Sequence, residues 1–311
     1  MEHRWILGSD GKTRLSVTVW LPAQEPIGVI QLLHGMRQHM GQYNDFARFL
    51  TVQGFAVCGH DQLGHGRTGK AAGHMGYFGE SNGPRYLVRD CHMVTRYIQN
   101  RFPGRRIFLF GHSMGSFIGR IYITQTDAVA GFLCLGTGGE WSAAPYISLL
   151  IHSISVLHGK EEAADFMYHL AFSTHHKKYE TTSNHSAWLS RDLASGRAFA
   201  EDKLSQYYFT YQALLDFVDV YFAAVSPVCA MRTPKSLPIF IASGGDDLIG
   251  SFGHGPIGVY EHYRSAGIRD IHCKLYPGGR HELLNEINRE EVYFDLLNWI
   301  LQHLSGKTPA R

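Results

Sequence analysis

The stretch Ile107-Phe108-Leu109-Phe110-Gly111-His112-Ser113-Met114-Gly115 decides how this chain folds. A short, unbroken apolar run such as 107–110 suits a strand covered on both faces. The G-x-S-x-G that follows is common by chance, but here it leaves a strand and enters 117–124, which reads as a helix. In that setting the glycines permit a sharp turn that lifts the serine hydroxyl to the carboxyl edge of a sheet. Ser113 is therefore the candidate nucleophile, with Gly111, His112 and Gly115 building its turn. The plainer alternative is a Gly-rich β–α turn with a capping serine. The residues that accompany Ser113 speak against it.

A serine hydroxyl is a poor nucleophile near neutral pH. It needs a base, and the base needs an orienting acid. Where a G-x-S-x-G turn serves this chemistry, the chain order is Ser, then Asp or Glu, then His. After the apolar run 238–242 comes Ser243-Gly244-Gly245-Asp246-Asp247, and after Ile271–Tyr276 comes Pro277-Gly278-Gly279-Arg280-His281. Both are loops past strand ends, at the same edge as Ser113. His281 is the candidate base and Asp247 the preferred acid. Asp246 is read as a turn residue, with the choice between the two left open, and Glu140 is a distant alternative. A further run, 28–33, leads into His34-Gly35-Met36. The Met36 and Met114 backbone N–H groups are the candidate oxyanion donors.

Around these loops the chain alternates. Runs at 28–33, 55–58, 107–110, 132–135, 238–242 and, more mixed, 271–276 read as parallel strands. Residues 15–21 alternate and are β-branched, forming a strand that pairs with 5–7 across Asp10-Gly11. Pro84 marks a first helical turn, with Leu87, Cys91, Val94 and Ile98 at helical spacing before Pro103-Gly104. Asn288 and Glu291 form a capping-box pattern ahead of the stripe Val292, Tyr293, Leu296, Leu297, Ile300, Leu301 and Leu304. This pattern predicts an α/β fold: a mostly parallel central sheet with helices on both faces.

The alternation stops between 141 and 233. Ile147, Leu150, Ile151, Ile154 and Leu157 make one helical stripe, and an aromatic-rich segment from Tyr207 to Phe222 makes another. The expected organisation is a core of 1–140 and 234–311 with a helical cap inserted at 141–233. About one third of the cap's aromatics are expected to meet a substrate. The Ile147–Leu157 stripe is expected to pack within the cap, with a transient membrane-surface contact as the second reading.

With 311 residues the chain is long enough for a large core. Its 44% apolar and 18% charged residues exclude disordered and coiled-coil chains. A net charge of +2 provides no electrostatic case for nucleic acid. Five widely spaced cysteines without a CxxC pair read as buried, reduced thiols. No signal-peptide or membrane-span pattern is visible, so the expected location is cytoplasmic, or peripheral at a membrane. There is no H-E-x-x-H, His175-His176 sits in a polar stretch, and neither a metal nor a cofactor is expected. The oligomeric state is not readable from the sequence.

The order Ser113, Asp247, His281, together with His34-Gly35-Met36 and Asp61-x-x-Gly64-His65-Gly66-Arg67-Thr68, resembles the α/β-hydrolase superfamily. The pattern is most similar to the monoacylglycerol lipase and lysophospholipase-like serine hydrolases. Tyr276-Pro277-Gly278-Gly279-Arg280-His281-Glu282 resembles their bacterial branch. Thr68 stands where that family usually has Ser, a mild departure in a loop read as structural support. The resemblance implies an α/β-hydrolase fold and cleavage of carboxylic esters, monoacylglycerol or lysophospholipid, through an acyl-enzyme. The rivals are an aminopeptidase, a thioesterase or an acyltransferase using the same three residues, and a non-catalytic ligand-binding protein. A peptidase would need an acidic cluster in the cap, for which Glu161, Glu162 and Asp165 are the candidates. Ser113 in place of Asp excludes dehalogenase and epoxide hydrolase chemistry.

Overall fold

The computed structural model describes residues 1–170, 179 and 186–305. Eight strands form one sheet: β1 (Glu2–Leu7), β2 (Arg14–Trp20), β3 (Gly28–Leu33), β4 (Phe55–His60), β5 (Ile107–His112), β6 (Gly131–Leu135), β7 (Ile239–Gly244) and β8 (Ile271–Tyr276). Their order is β1-β2-β4-β3-β5-β6-β7-β8. The hairpin β1–β2 and the β2–β4 pair are antiparallel, and the remaining pairs are parallel.

The unbroken apolar runs follow from burial on both faces. Successive side chains of a strand point to opposite sides. Ile107 and Leu109 of β5 pack under the helices Gly83–Arg101 and Met114–Tyr122. Phe108 and Phe110 face the helices Asn44–Val52 and Arg289–Leu304. Val29 and Leu33 of β3 join the first layer, whereas Ile30 and Leu32 join the second. Strand β8 reads as mixed because it is the edge strand. Its Lys274 faces outward and is held by Glu291 at 3.0 Å and Asp295 at 2.5 Å.

Several local readings shift. The hairpin runs from Glu2, longer than 5–7, and the helix after Ser113 starts at Met114, not 117. Asn288 precedes the last helix but does not cap it through its side chain. Its Oδ1 accepts from Arg191 at 2.8 Å, and its Nδ2 donates to Glu291 at 3.0 Å, so neither is turned to a helix amide. Leu301 is exposed, outside the buried stripe of that helix.

Between β6 and β7 the described residues form helices Ala144–His158, 165–170, Leu193–Glu201, Tyr211–Val225 and Pro227–Arg232, with one isolated bridge, Ala163 to Thr210. Tyr207, Tyr208 and Phe209 are not helical. The helix begins after Thr210, whose hydroxyl accepts the Ala213 amide at 3.1 Å. In Ala144–His158, Ile151 is buried and Ile147 and Ile154 pack beside it, while Leu150 and Leu157 turn outward with Tyr146, Leu149 and Val156. Apolar residues occur around the whole circumference of this helix, so spacing alone does not select its buried face. Among the described residues, no helix is long and apolar enough to cross a membrane. Cys58, Cys91, Cys134 and Cys229 are buried free thiols, and burial pushes Cys58 up to about 12, far from a reactive thiolate.

Candidate active site

The carboxyl ends of the parallel strands deliver four loops to one edge of the sheet: His34-Gly35-Met36 after β3, Ser113 after β5, Asp247 after β7 and His281 after β8. Ser113 has φ 53° and ψ −121°, a left-handed strain for a residue with a Cβ. The turn closes only because its neighbours lack side chains. A Cβ on Gly111 would lie 2.5 Å from the Gly115 carbonyl oxygen. A Cβ on Gly115 would overlap the Leu33 carbonyl oxygen and come within 2.7 Å of the His34 one. Alanine in a helix is normally favoured over glycine by about 1 kcal/mol. Here backbone overlap dominates, and Gly115→Ala is expected to destabilise the protein by about 3 kcal/mol. Thermal unfolding checks this, and a variant melting at the wild-type temperature would refute the packing argument.

Three side chains distant in sequence meet at this edge. His281 Nε2 lies 2.9 Å from Ser113 Oγ, and His281 Nδ1 lies 3.0 and 3.1 Å from the two Asp247 oxygens. Asp247 is fully buried and accepts from the Ile249 amide at 2.9 Å and the Ser243 hydroxyl at 3.1 Å. Burial opposes ionisation of Asp247, but the His281 charge and these hydrogen bonds hold its carboxyl below the usual carboxylate range. Burial likewise opposes protonation of His281. The Asp247 charge, its hydrogen bond and the Glu282 charge outweigh that and raise His281 above an ordinary histidine. Asp246 is exposed, its amide donating to Gly279 O at 2.8 Å, as a turn residue does. Glu140 is exposed in a separate cleft with Arg120 and His254.

The loop after β3 is held by hydrogen bonds that reveal the state of His34. The Gln62 amide donates to His34 Nε2 at 3.0 Å, so the proton sits on Nδ1 and is donated to Gly35 O at 2.8 Å. In a trans peptide the carbonyl and the following N–H point in opposite directions. Pinning the Gly35 carbonyl therefore fixes the direction of the Met36 N–H. Met36 lines the cavity with Ser113, and Met114 heads its helix, where no acceptor exists within that helix. The Asp61–Thr68 loop is structural: Asp61 accepts the Met40 and Arg67 amides at 2.8 and 2.7 Å, and Thr68 Oγ1 donates to Asp61 O at 2.6 Å. A threonine supplies that hydroxyl as well as a serine would.

Other participants were not legible from spacing. Gln38 Oε1 accepts the Gly35 amide at 2.7 Å and the Tyr43 hydroxyl at 2.5 Å, while its Nε2 donates to Glu282 at 2.8 Å. His112 meets His281 with ring centroids 5.0 Å apart and the rings tilted by 44°, and burial depresses it to about 3, which keeps it neutral. Trp188 stacks against His281 at 5.3 Å. Only the adjacency of Glu282 to His281 hinted at any of this.

Above Ser113 lies a cavity of about 470 Å³. Its walls include Phe117, Trp141, Tyr168, Trp188, Phe199, Phe217, Tyr221, Leu248 and Ile249. From the cap, Trp141, Tyr168, Trp188, Phe199, Phe217 and Tyr221 line it. Glu162 and Asp165 line another cleft beside Leu157 and Tyr211, away from Ser113, and Glu161 is not among the cavity residues. His175 and His176 lie outside the described residues.

Residues 24–288 match the family model Hydrolase_4, described as serine aminopeptidase, S33. Over 294 residues the chain is 24% identical to a monoacylglycerol lipase of Mycolicibacterium smegmatis, covering 94% of this chain and 95% of that protein. It superposes with TM-score 0.90 and 25% identity on a thermostable carboxyl esterase of Bacillus coagulans, covering 97% of this chain and 98% of the other. A monoglyceride lipase of Saccharomyces cerevisiae shares the fold at TM-score 0.74 and 18% identity, with 98% and 96% covered. With its mostly parallel sheet, its loops gathered at one sheet edge and a family match over most of its length, the chain belongs to the Hydrolase_4 (serine aminopeptidase, S33) family of α/β hydrolases.

Proposed function

We propose that this chain is a serine hydrolase that cleaves carboxylic esters of monoacyl lipids, monoacylglycerol or lysophospholipid, through an acyl-enzyme. The observation that carries the reading is the unbroken hydrogen-bonded chain Ser113–His281–Asp247 on the floor of an apolar cavity. Ser113 Oγ attacks the ester carbonyl as His281 Nε2 takes its proton. Asp247 keeps the proton of His281 on Nδ1 and stabilises the imidazolium that forms. The Met36 and Met114 amides bind the developing oxyanion. His281 then protonates the departing alcohol, and a water activated by the same ring releases the acid.

Residues 1–140 and 234–311 serve as the catalytic core, and 141–233 as a cap that shapes the acyl site. The outward apolar face of Ala144–His158, with Tyr146, Leu149, Val156 and Leu157 exposed, supports a transient contact with a lipid surface from which substrate is drawn. A cytoplasmic or membrane-peripheral location fits this reading.

Aminopeptidase action is the chief rival because of the family description. It would require a carboxylate free to hold a substrate amine. Glu282 is the cavity's one carboxylate among the described residues, and it is buried and engaged by Gln38 at 2.8 Å and Asn285 at 2.8 Å. That commitment favours esters over aminoacyl amides. A fluorophosphonate probe is expected to label the native protein at Ser113. On a panel of monoacylglycerols, lysophospholipids, short p-nitrophenyl esters and aminoacyl amides, the esters are expected to dominate. A preference for the amides would overturn the substrate class, and absence of labelling would overturn the enzyme reading.

A further inference from the structure

Arg37 follows the Met36 amide directly, lines the cavity that holds Ser113 and His281, and is 8% exposed. A cation this deeply buried loses several kcal/mol of hydration and ordinarily sits against a carboxylate. Among the described residues Arg37 forms no ion pair. Its surroundings are neutral. Nε donates to Ser205 O at 2.9 Å, the Tyr168 hydroxyl is hydrogen-bonded to it, and its guanidinium lies 4.7, 5.5 and 5.8 Å from the rings of Tyr168, Tyr208 and Phe199. The carboxylates nearby are already committed. Glu282 is bound by Gln38 and Asn285, and Asp202 by His39 at 2.6 Å and Gln42 at 2.9 Å.

Cation–π contact offsets part of the desolvation but does not neutralise the charge. The backbone adds a second cost. Arg37 has φ 59°, a left-handed conformation that glycine would adopt without strain. A long cationic side chain therefore stands where local energetics favour none. Away from Arg37 and the polar floor the walls are apolar, with Phe117 packed on Phe217 at 6.0 Å and on Tyr221 at 5.6 Å, and with Leu248 and Ile249 beside them. These walls suit an acyl chain, and Arg37 provides the cavity with a fixed positive charge.

We infer that Arg37 is the receptor for an anionic oxygen group, phosphate or carboxylate, carried on the alcohol portion of the ester substrate. This rests on the ester-hydrolase reading and narrows it to anionic monoacyl esters. A guanidinium fork bonds two oxygens of such a group at once, which an ammonium does not.

The test is binding without turnover, so that it stands apart from catalysis. Titration calorimetry compares three octyl ethers that contain no carboxylic ester: 1-O-octylglycerol, its phosphate monoester, and 3-O-octylglyceric acid as its carboxylate. The wild-type protein is expected to bind at least one of the two anions about tenfold more tightly than the neutral ether. The tighter anion identifies the group. Arg37→Gln is expected to bring the anion-to-neutral ratio close to one, and Arg37→Lys to keep part of it. Equal affinities in the wild type, or a ratio unaltered by Arg37→Gln, would overturn the inference. If Arg37→Gln does not fold, the wild-type ratio and the Arg37→Lys ratio decide. Hydrolysis of the matching acyl esters is measured beside it. Turnover without anion preference removes this inference alone, and anion preference without turnover removes the ester-hydrolase reading while leaving Arg37 as an anion receptor.

Discussion

Ser113→Ala is expected to lower kcat for ester hydrolysis by about 10⁶-fold and to abolish fluorophosphonate labelling. The variant removes one oxygen, the atom 2.9 Å from His281 Nε2. It keeps the Cβ, so the strained turn at φ 53° is unchanged and the melting temperature should stay close to that of the native protein. Loss of activity with an intact fold would assign the chemistry to this hydroxyl. Residual hydrolysis above about one part in a hundred of wild type, beyond the residual expected from oxyanion and binding effects, would mean that another group attacks the ester.

Asp247→Asn is the second large effect, about 10⁴-fold in kcat, and it carries its own pH signature. Asp247 accepts from His281 Nδ1 at 3.0 Å and so holds the tautomer whose Nε2 is free to take the Ser113 proton. An asparagine can donate to Nδ1 instead, which leaves the proton on Nε2, where it blocks catalysis. The sign of the pH shift follows from the two opposing influences on His281. Burial lowers its pKa, and the Asp247 charge and hydrogen bond raise it further than burial lowers it. His281 must be neutral to act as a base, so activity falls as the pH drops through a value above that of an ordinary histidine. Removing the charge leaves burial unopposed by Asp247, and the acidic limb of kcat/KM should move to lower pH. A limb that stays in place, or moves upward, would show that Asp247 does not govern the protonation of His281.

The α/β architecture was legible because a strand buried on both faces must be apolar at every position, and β3, β4, β5 and β7 are each buried along their whole length. Local chemistry also exposed the sharp turn at Ser113, since only glycine fits where a Cβ on Gly111 or Gly115 would strike backbone. Helix faces in the segment between β6 and β7 were less legible. Ala144–His158 is apolar on all sides, and what decides its buried face is contact with Tyr211–Val225, which no local pattern encodes. The capping pattern at Asn288 failed for the same reason, because Arg191, far away in sequence, occupies the side-chain oxygen a helix amide would have used.

The sequence alone determined the order of strands and helices, the sharp turn at Ser113 and the residue types able to form a nucleophile, base and acid, because these depend on contacts within a few residues. Tertiary structure decided the rest. It chose Asp247 over Asp246 as the partner of His281 and turned the Glu162 and Asp165 side chains to a cleft away from Ser113. It also set Gln38 and Glu282 behind the loop and left Arg37 in the cavity wall without a counter-ion among the described residues. Each of these depends on side chains brought together across the sheet edge from separate loops, and the interactions that select them do not exist until the chain has closed.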